Sequence, residues 1–365
     1  MDENGKKCVK DTAEGSRGQY ASADKLGAKD VMLAYMCRSD IPPINKEMLL
    51  PYVAYIEDGK IKDTLFDGFL FLPHVYFLYD YSGGHGVKKP LQQKDWQFYI
   101  DTQFAEGVNS DALEAAAEEV GNALGITDFR LKVFLSILYP VAGVTDFGEL
   151  NGKHIDFTHA EDRYKALEWL VDEQLARFRR KNYKHLELAG YYWFTEEISY
   201  GDAPLMELLH RVTDHVRGLG YITVWIPYYR ACGYDDWRNL GFDLGCYQPN
   251  YAFNKAVPDS RLFEAAEDAK RLGMCIELEM GGVEDWNVGR MKKYYAAGVA
   301  AGYMKDAAHI YYQGSMPGYF YRAYESEDPY LHSVYNDTYR FIKGTFEAGE
   351  VKFGEDGKQE DDKNA

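Results

Sequence analysis

The sequence predicts an α/β fold, a (β/α)8 TIM barrel in a single domain, on three observations. Eight short apolar runs alternate with amphipathic helical stretches along most of the 365 residues. Alternation of this kind makes a parallel sheet, and eight such units in this length close into a barrel. No GxGxxG or GxxxxGK[ST] follows any run, which removes the usual nucleotide-binding signatures of the open, doubly wound alternative.

The elements follow in order. Residues 1–29 are polar and are expected as a disordered lead-in. The strand candidates are "VMLAYM" (31–36), "FDGFLFL" (66–72), "KVFLSIL" (132–138), "HLELAGYYW" (185–193), "YITVWIPY" (221–228), "FDLGCYQ" (242–248), "MCIELEM" (274–280) and "AHIYYQ" (308–313). Between them, residues 161–182 place Leu167, Leu170, Val171, Leu175 and Phe178 on one helical stripe. Residues 203–219 do the same with Leu205, Leu208, Leu209, Val212 and Val216. Helices over 260–273, 287–302 and 328–346 complete the series, the first of them with a Ser start and a Gly stop. Residues 74–112 form a long insertion after strand two, rich in Tyr, Gly and Asp, expected to lie over the top of the barrel. The catalytic barrel is assigned to residues 30–350 and a charged, disordered tail to 351–365.

Composition narrows the partners. A net charge of −17 argues against nucleic acid and against an anionic membrane surface. No apolar run is long enough to span a membrane. The 31 tyrosines suit amphipathic ligands such as sugars, because each ring carries a polar tip. Five scattered cysteines make neither a zinc spacing nor a disulfide framework. Nine histidines give no HxH or HExxH, so neither a metal site nor a cofactor is expected. There is no GxSxG elbow for a serine nucleophile.

In a barrel of this kind the chemistry sits at the C-terminal ends of the strands. The polar residues ending the runs are His74 (strand two), Glu196 and Glu197 (four), and Tyr228 and Arg230 (five). Strand six ends in Gln248, Asn250 and Tyr251, strand seven in Glu277 and Glu279, and strand eight in Tyr311, Tyr312 and Gln313. In "MCIELEMGG" Glu277 and Glu279 are two apart and share one face of the strand. Carboxylates on strands four and seven are the minimal apparatus of glycoside hydrolysis, one as proton donor and one as nucleophile. Glu279 ends its strand where a nucleophile reaches the cleft. Glu277, one pair deeper, is expected to support rather than react. Arg230, Gln248, Asn250, Tyr228 and Tyr311 are expected to bind sugar hydroxyls or tune the carboxylates, with Trp286 and Tyr251 as stacking platforms. Between Glu196 and Glu197 the spacing does not choose.

The segments "GYYWFTEEIS", "WIPYYR", "YQPNY" and "ELEMGG" together resemble the bacterial domain-of-unknown-function 4855 family, over about residues 30–346. That family is similar to the barrel glycoside hydrolases. In the clan of retaining barrel enzymes the acid/base is a Glu ending strand four and the nucleophile a Glu ending strand seven. The resemblance therefore implies Glu196 and Glu279 in those roles, with Thr195 standing where that clan usually has Asn.

The expected function is hydrolysis of glycosidic bonds in a poly- or oligosaccharide, with retention. A retaining pair would be about 5–5.5 Å apart and an inverting pair about 6.5–9.5 Å. A polymer substrate implies export with the signal removed, the alternative being a cytoplasmic protein. Two rivals stand beside this reading. One is a barrel that binds carbohydrate without turnover. The other is a lyase or isomerase acting on a sugar phosphate held near Gly281, Gly282 and Gly314.

Overall fold

Each of the eight predicted runs is a strand in the computed structural model, which describes residues 18–36, 42–74, 91–349 and 351–354. Strands one to eight are Asp30–Met36, Gly68–Pro73, Leu131–Ile137, Leu186–Trp193, Ile222–Trp225, Leu244–Tyr247, Cys275–Glu279 and His309–Tyr312. They pair in parallel, each with its neighbour in sequence, and strand one closes the ring on strand eight through Val31↔Ile310.

Alternation along the strands separates two cores. Val31, Leu33, Leu70, Leu72, Phe134, Val224, Cys246, Cys275 and Ile310 point inward and fill the barrel. Met32, Ala34, Phe69, Phe71, Leu135, Ile276, Leu278 and Tyr311 point outward against the helices. The helical stripes fall where the sequence places them, over Ala160–Lys181, Leu205–Gly218, Ser260–Leu272, Asp285–Ala301 and Pro329–Ile342. The last begins on an Asp328 cap, whose carboxylate accepts the Tyr330 N–H at 2.9 Å.

Five features depart from the expectation or add to it. Residues 1–17 of the expected lead-in lie outside the described residues. Residues 18–29 are not loose. They cross the bottom of the barrel, where Ala21 N–H donates to Met274 O (3.0 Å) and Ala308 N–H donates to Ala21 O (2.8 Å). Ala21, Leu26 and Ala28 are buried there in the inner core, so apolar burial outweighs the polar composition of the segment. At the other end, Phe353 packs edge-on against Phe263 and Gly354 N–H donates to Asp259, so the chain stays docked through residue 354. Residues 355–365 of the expected tail lie outside the described residues.

The insertion after strand two does not simply cover the top. Its residues 75–90 lie outside the described ones, but Gln93–Gln103 is a helix on the flank of the barrel. Trp96 packs there on Phe147, and the Tyr99 hydroxyl donates to Phe71 O. The connection from strand five to strand six carries no helix. Residues 226–243 run through turns, anchored by buried Trp237, Leu240 and Phe242. Finally, two small hairpins, Ala54–Glu57 with Lys60–Thr64 and Gly148–Leu150 with Lys153–Ile155, had no distinct sequence signal.

Candidate active site

The inward face of strand seven carries Cys275, Glu277 and Glu279, because Ile276 and Leu278 take the outward positions. Glu277 and Glu279 are 2 % and 1 % exposed. Both line a cavity of about 450 Å³ at the C-terminal mouth of the barrel. Glu196, Gln248, Asn250 and Tyr228 line it too, with Tyr35, Tyr192, Phe194, Phe253 and Tyr312 as aromatic walls. The mouth thus gathers carboxylates from strand seven and from the loop after strand four.

The three carboxyls are held differently. Glu279 accepts hydrogen bonds from the Tyr294 hydroxyl and from the Tyr251 N–H (3.1 Å), and the Asn250 N–H also faces it. Asn250 has a positive φ of 51°, a conformation Asn tolerates, and this turn aims successive amides at the carboxylate. Burial still outweighs these donors and pushes the Glu279 carboxyl up to about 7, with the nearby Glu196 charge adding to the rise. Glu277 has no donor among the described residues. Burial first, then the charges of Glu279 and Glu196, push it well above the ordinary carboxylate range. Glu196 stands at the rim with one side open to the cleft and the cavity walls crowding the others. That crowding raises its carboxyl, the Gln248 amide restrains the rise and the Glu197 charge adds to it.

The loop that carries Glu196 is pinned from several sides. Trp193 Nε1–H donates to Thr195 Oγ1 (2.7 Å) and Trp225 Nε1–H donates to Thr195 O (2.6 Å). Further along, buried Arg163 forms a two-point ion pair with Asp202, which also accepts the Tyr139 hydroxyl. Paired and hydrogen-bonded in this way, a buried guanidinium holds a loop in one register. Neither Asp202 nor Arg163 was legible as part of the site's support, because the pair joins residues 39 apart.

The other expected site residues divide. Glu197 is exposed and not among the cavity residues, and it accepts the hydroxyl of cavity-lining Tyr228 at 2.5 Å. Gln248 faces the cavity while donating to Ile226 O at 3.1 Å. Tyr311 is corrected: it points outward, donating to Asp30 at 2.7 Å and packing on Phe66. Its neighbour Tyr312, in register with Glu279, is the one that faces the cavity. The period of two carried the signal, since Tyr311 pairs with outward Leu278.

Arg230 is corrected as well. It is exposed beside Tyr229 and Glu264, not among the cavity residues. Tyr251 serves through its backbone. Its ring is buried against Arg290 and its hydroxyl donates to Asp259, which removes it as a stacking platform. Trp286 lies outside the cavity, with Lys255 and Arg290 against its ring. The exposed aromatic in the cavity wall is Phe253, 47 % exposed and edge-on to Tyr312 at 5.4 Å. His74 does not line the cavity but packs edge-on to Tyr35, which does.

The loop expected for a phosphate is occupied. The space beside Gly282 holds the carboxylate of Glu284 and the amide of Asn287, a poor cradle for an anion. Among the described residues, one group with the donor types of a metal site, Glu168, Asp172 and His215, joins two outer helices. There His215 Nε2 lies 2.8 Å from Asp172. No helix among the described residues is long and apolar enough to cross a membrane.

Fold and site together define a class: a closed parallel (β/α)8 barrel with carboxylates gathered in its C-terminal mouth. The chain belongs to the family described as Domain of unknown function (DUF4855), whose model matches residues 30–340. No curated protein matches it. Among solved structures it is similar to a glycoside hydrolase family 5 enzyme from Prevotella bryantii. That match has 13 % identity and a TM-score of 0.46, and covers 88 % of this chain and 99 % of the other. It is also similar to a GH5-4 broad-specificity endoglucanase from an uncultured bacterium (10 % identity, TM-score 0.47, covering 88 % and 97 %). A third is a mutant tryptophan synthase alpha-subunit from Pyrococcus furiosus (7 % identity, TM-score 0.38, covering 90 % and 99 %). At these identities the likeness lies in the fold.

Proposed function

We propose that the protein is a glycoside hydrolase that cleaves O-glycosidic bonds of an oligo- or polysaccharide with retention. One observation carries this reading: Glu196 and Glu279 line the same aromatic-walled cavity from opposite parts of the barrel mouth. Two carboxyl groups flanking one sugar site are what the reaction needs. Glu196, at the rim and open to the cleft, is the acid/base: it gives its proton to the departing oxygen and later takes one from water. Glu279, held by a tyrosine hydroxyl and two backbone amides, is the nucleophile. Those donors fix its orientation and favour its ionised form. Glu277 lies beneath and shapes the floor. Water attacks the glycosyl–Glu279 ester from the side vacated by the leaving group, and net retention follows from two inversions. A polymeric substrate would place the enzyme outside the cytoplasm.

The test is a screen of purified protein against a panel of polysaccharides, reading new reducing ends, with Glu279→Gln as the control. Product from the wild type and none from the variant is expected. Equal product from both removes Glu279 from the chemistry. Tight sugar binding without product from the wild type favours the second reading, a carbohydrate-binding barrel; the aromatic walls around the carboxylates are what supports that alternative.

A further inference from the structure

Glu277 is the group that the proposed hydrolysis leaves unexplained. A two-glutamate mechanism needs Glu196 and Glu279 alone. Glu277 is 2 % exposed, aimed into the cavity, and receives no hydrogen bond from the described residues. Its oxygens open onto the cavity, so whatever fills the cavity must supply the partner of this carboxyl. Its counterparts elsewhere in the molecule are satisfied. Asp30, equally buried, faces both His309 and the Tyr311 hydroxyl.

The charge balance of the lining points to what is missing. Among the described residues the cavity has three carboxyls and no Lys, Arg or His. Three described arginines of neighbouring segments are committed elsewhere. Arg290 donates to the carbonyls of Tyr251, Lys255 and Val257, and Arg261 donates to Pro249 O. Arg230 lies with Glu264. Around the carboxyls stand Tyr35, Tyr192, Phe194, Phe253 and Tyr312, whose ring faces attract cations. An acidic floor inside aromatic walls, with no cation among the described lining residues, is a site for an organic ammonium group.

We propose that the sugar bound in this cavity is a cationic amino sugar, its free ammonium group seated on Glu277. The proposal rests on the carbohydrate reading above and names the substrate class for it. It explains the absent donor to Glu277: the ligand supplies it. It also explains why three carboxyls crowd one cavity where the reaction needs two. An N-acetylated sugar lacks the charge, and a neutral hexose lacks the donor strength, so neither compensates the floor.

The experiment measures binding by calorimetry near pH 6 with three tetrasaccharides: glucosamine oligomer, its fully N-acetylated form, and cello-oligomer. Wild type and Glu277→Gln are compared, with thermal unfolding as the folding control, and hydrolysis of each oligomer is followed separately. The expected result is at least about tenfold tighter binding of the amino oligomer than of the other two. Glu277→Gln should fold normally and lose most of that preference. Binding of the amino oligomer should also release protons, read as a dependence of the heat on buffer, because an ammonium favours the ionised carboxyls. Equal or weaker binding of the amino oligomer, its failure to bind, or a preference unchanged in Glu277→Gln overturns the proposal. Hydrolysis of a neutral oligomer with no amino-sugar preference would overturn it while leaving the glycosidase reading intact. Selective binding of the amino oligomer with no hydrolysis of any oligomer would uphold the proposal and count against turnover.

Discussion

The two ends of the barrel hold buried acids in opposite ways. At the bottom Asp30 meets His309 Nδ1 at 2.8 Å and the Tyr311 hydroxyl at 2.7 Å, and the backbone amides of Lys29 and Asp30 donate to Asp67. His309 in turn has its other nitrogen 2.9 Å from Tyr303 O, so the network is closed on itself. At the top, among the described residues, Glu277 has no donor, Glu279 has three, and Glu196 faces the cleft beside Gln248. The bottom uses its acids to tie strand one to strand eight through Asp30 and to the start of strand two through Asp67. The top leaves acid capacity unspent, and that residue of unmet demand marks the ligand end of the fold.

Mutations sharpen the contrast, beginning with the largest effect. Glu279→Gln and Glu196→Gln should each lower kcat/KM by about a thousandfold or more, the scale seen when a nucleophile or its proton donor is removed. Their melting temperatures should stay at or above that of the wild type. Glu197→Gln, outside the cavity, should leave the rate within a few-fold; a thousandfold loss there would exchange the two glutamates' roles. At the bottom the expectation reverses. Asp30→Ala should cost about 3 kcal/mol of stability by breaking a buried network, read by denaturant unfolding. Its folded fraction should keep wild-type KM. Phe253→Ala should weaken oligosaccharide binding by about 1 kcal/mol, a ring's worth of stacking, with no change in stability.

The smallest effect is in pH. The Glu279 carboxyl rises from 4.5 to about 7 on folding, so the folded state holds its proton more tightly than the unfolded chain. The stability from that proton is fully present below 4.5 and is lost as pH rises to about 7. The wild type should therefore lose more stability over that window than Glu279→Gln, as followed by melting temperature. Equal slopes would show that Glu279 titrates normally in the fold.

Most of the fold was legible because it rests on local patterns. Period-two and period-3.6 stripes placed every barrel strand and five of the helices. Within the site, "MCIELEMGG" placed Glu277 and Glu279 on one inward face from spacing alone. What was not legible depends on the third dimension. Tyr311 and Tyr312 are adjacent, and only the register with Leu278 and Glu279 decides which reaches the cavity. Arg230 follows strand five closely in sequence, yet the helixless connection carries it off toward Glu264. Tyr251 was noticed as an aromatic, but it is its amide that touches Glu279. Phe253, in a turn without periodicity, gave no signal. The polar lead-in hid a floor, because three small or apolar side chains, Ala21, Leu26 and Ala28, were enough to seat it.

The central claim is that Glu279 attacks the sugar while Glu196 manages the proton. The most direct measurement uses Glu196→Gln with an activated glycoside of whichever sugar the panel identifies. Without its base the variant forms the glycosyl-enzyme faster than water removes it, so the adduct accumulates and can be mapped by peptide mass spectrometry. The account predicts one sugar on the peptide carrying Glu279, with the modified residue at 279 itself. An adduct on Glu277, or turnover with inverted product and no adduct, would contradict it.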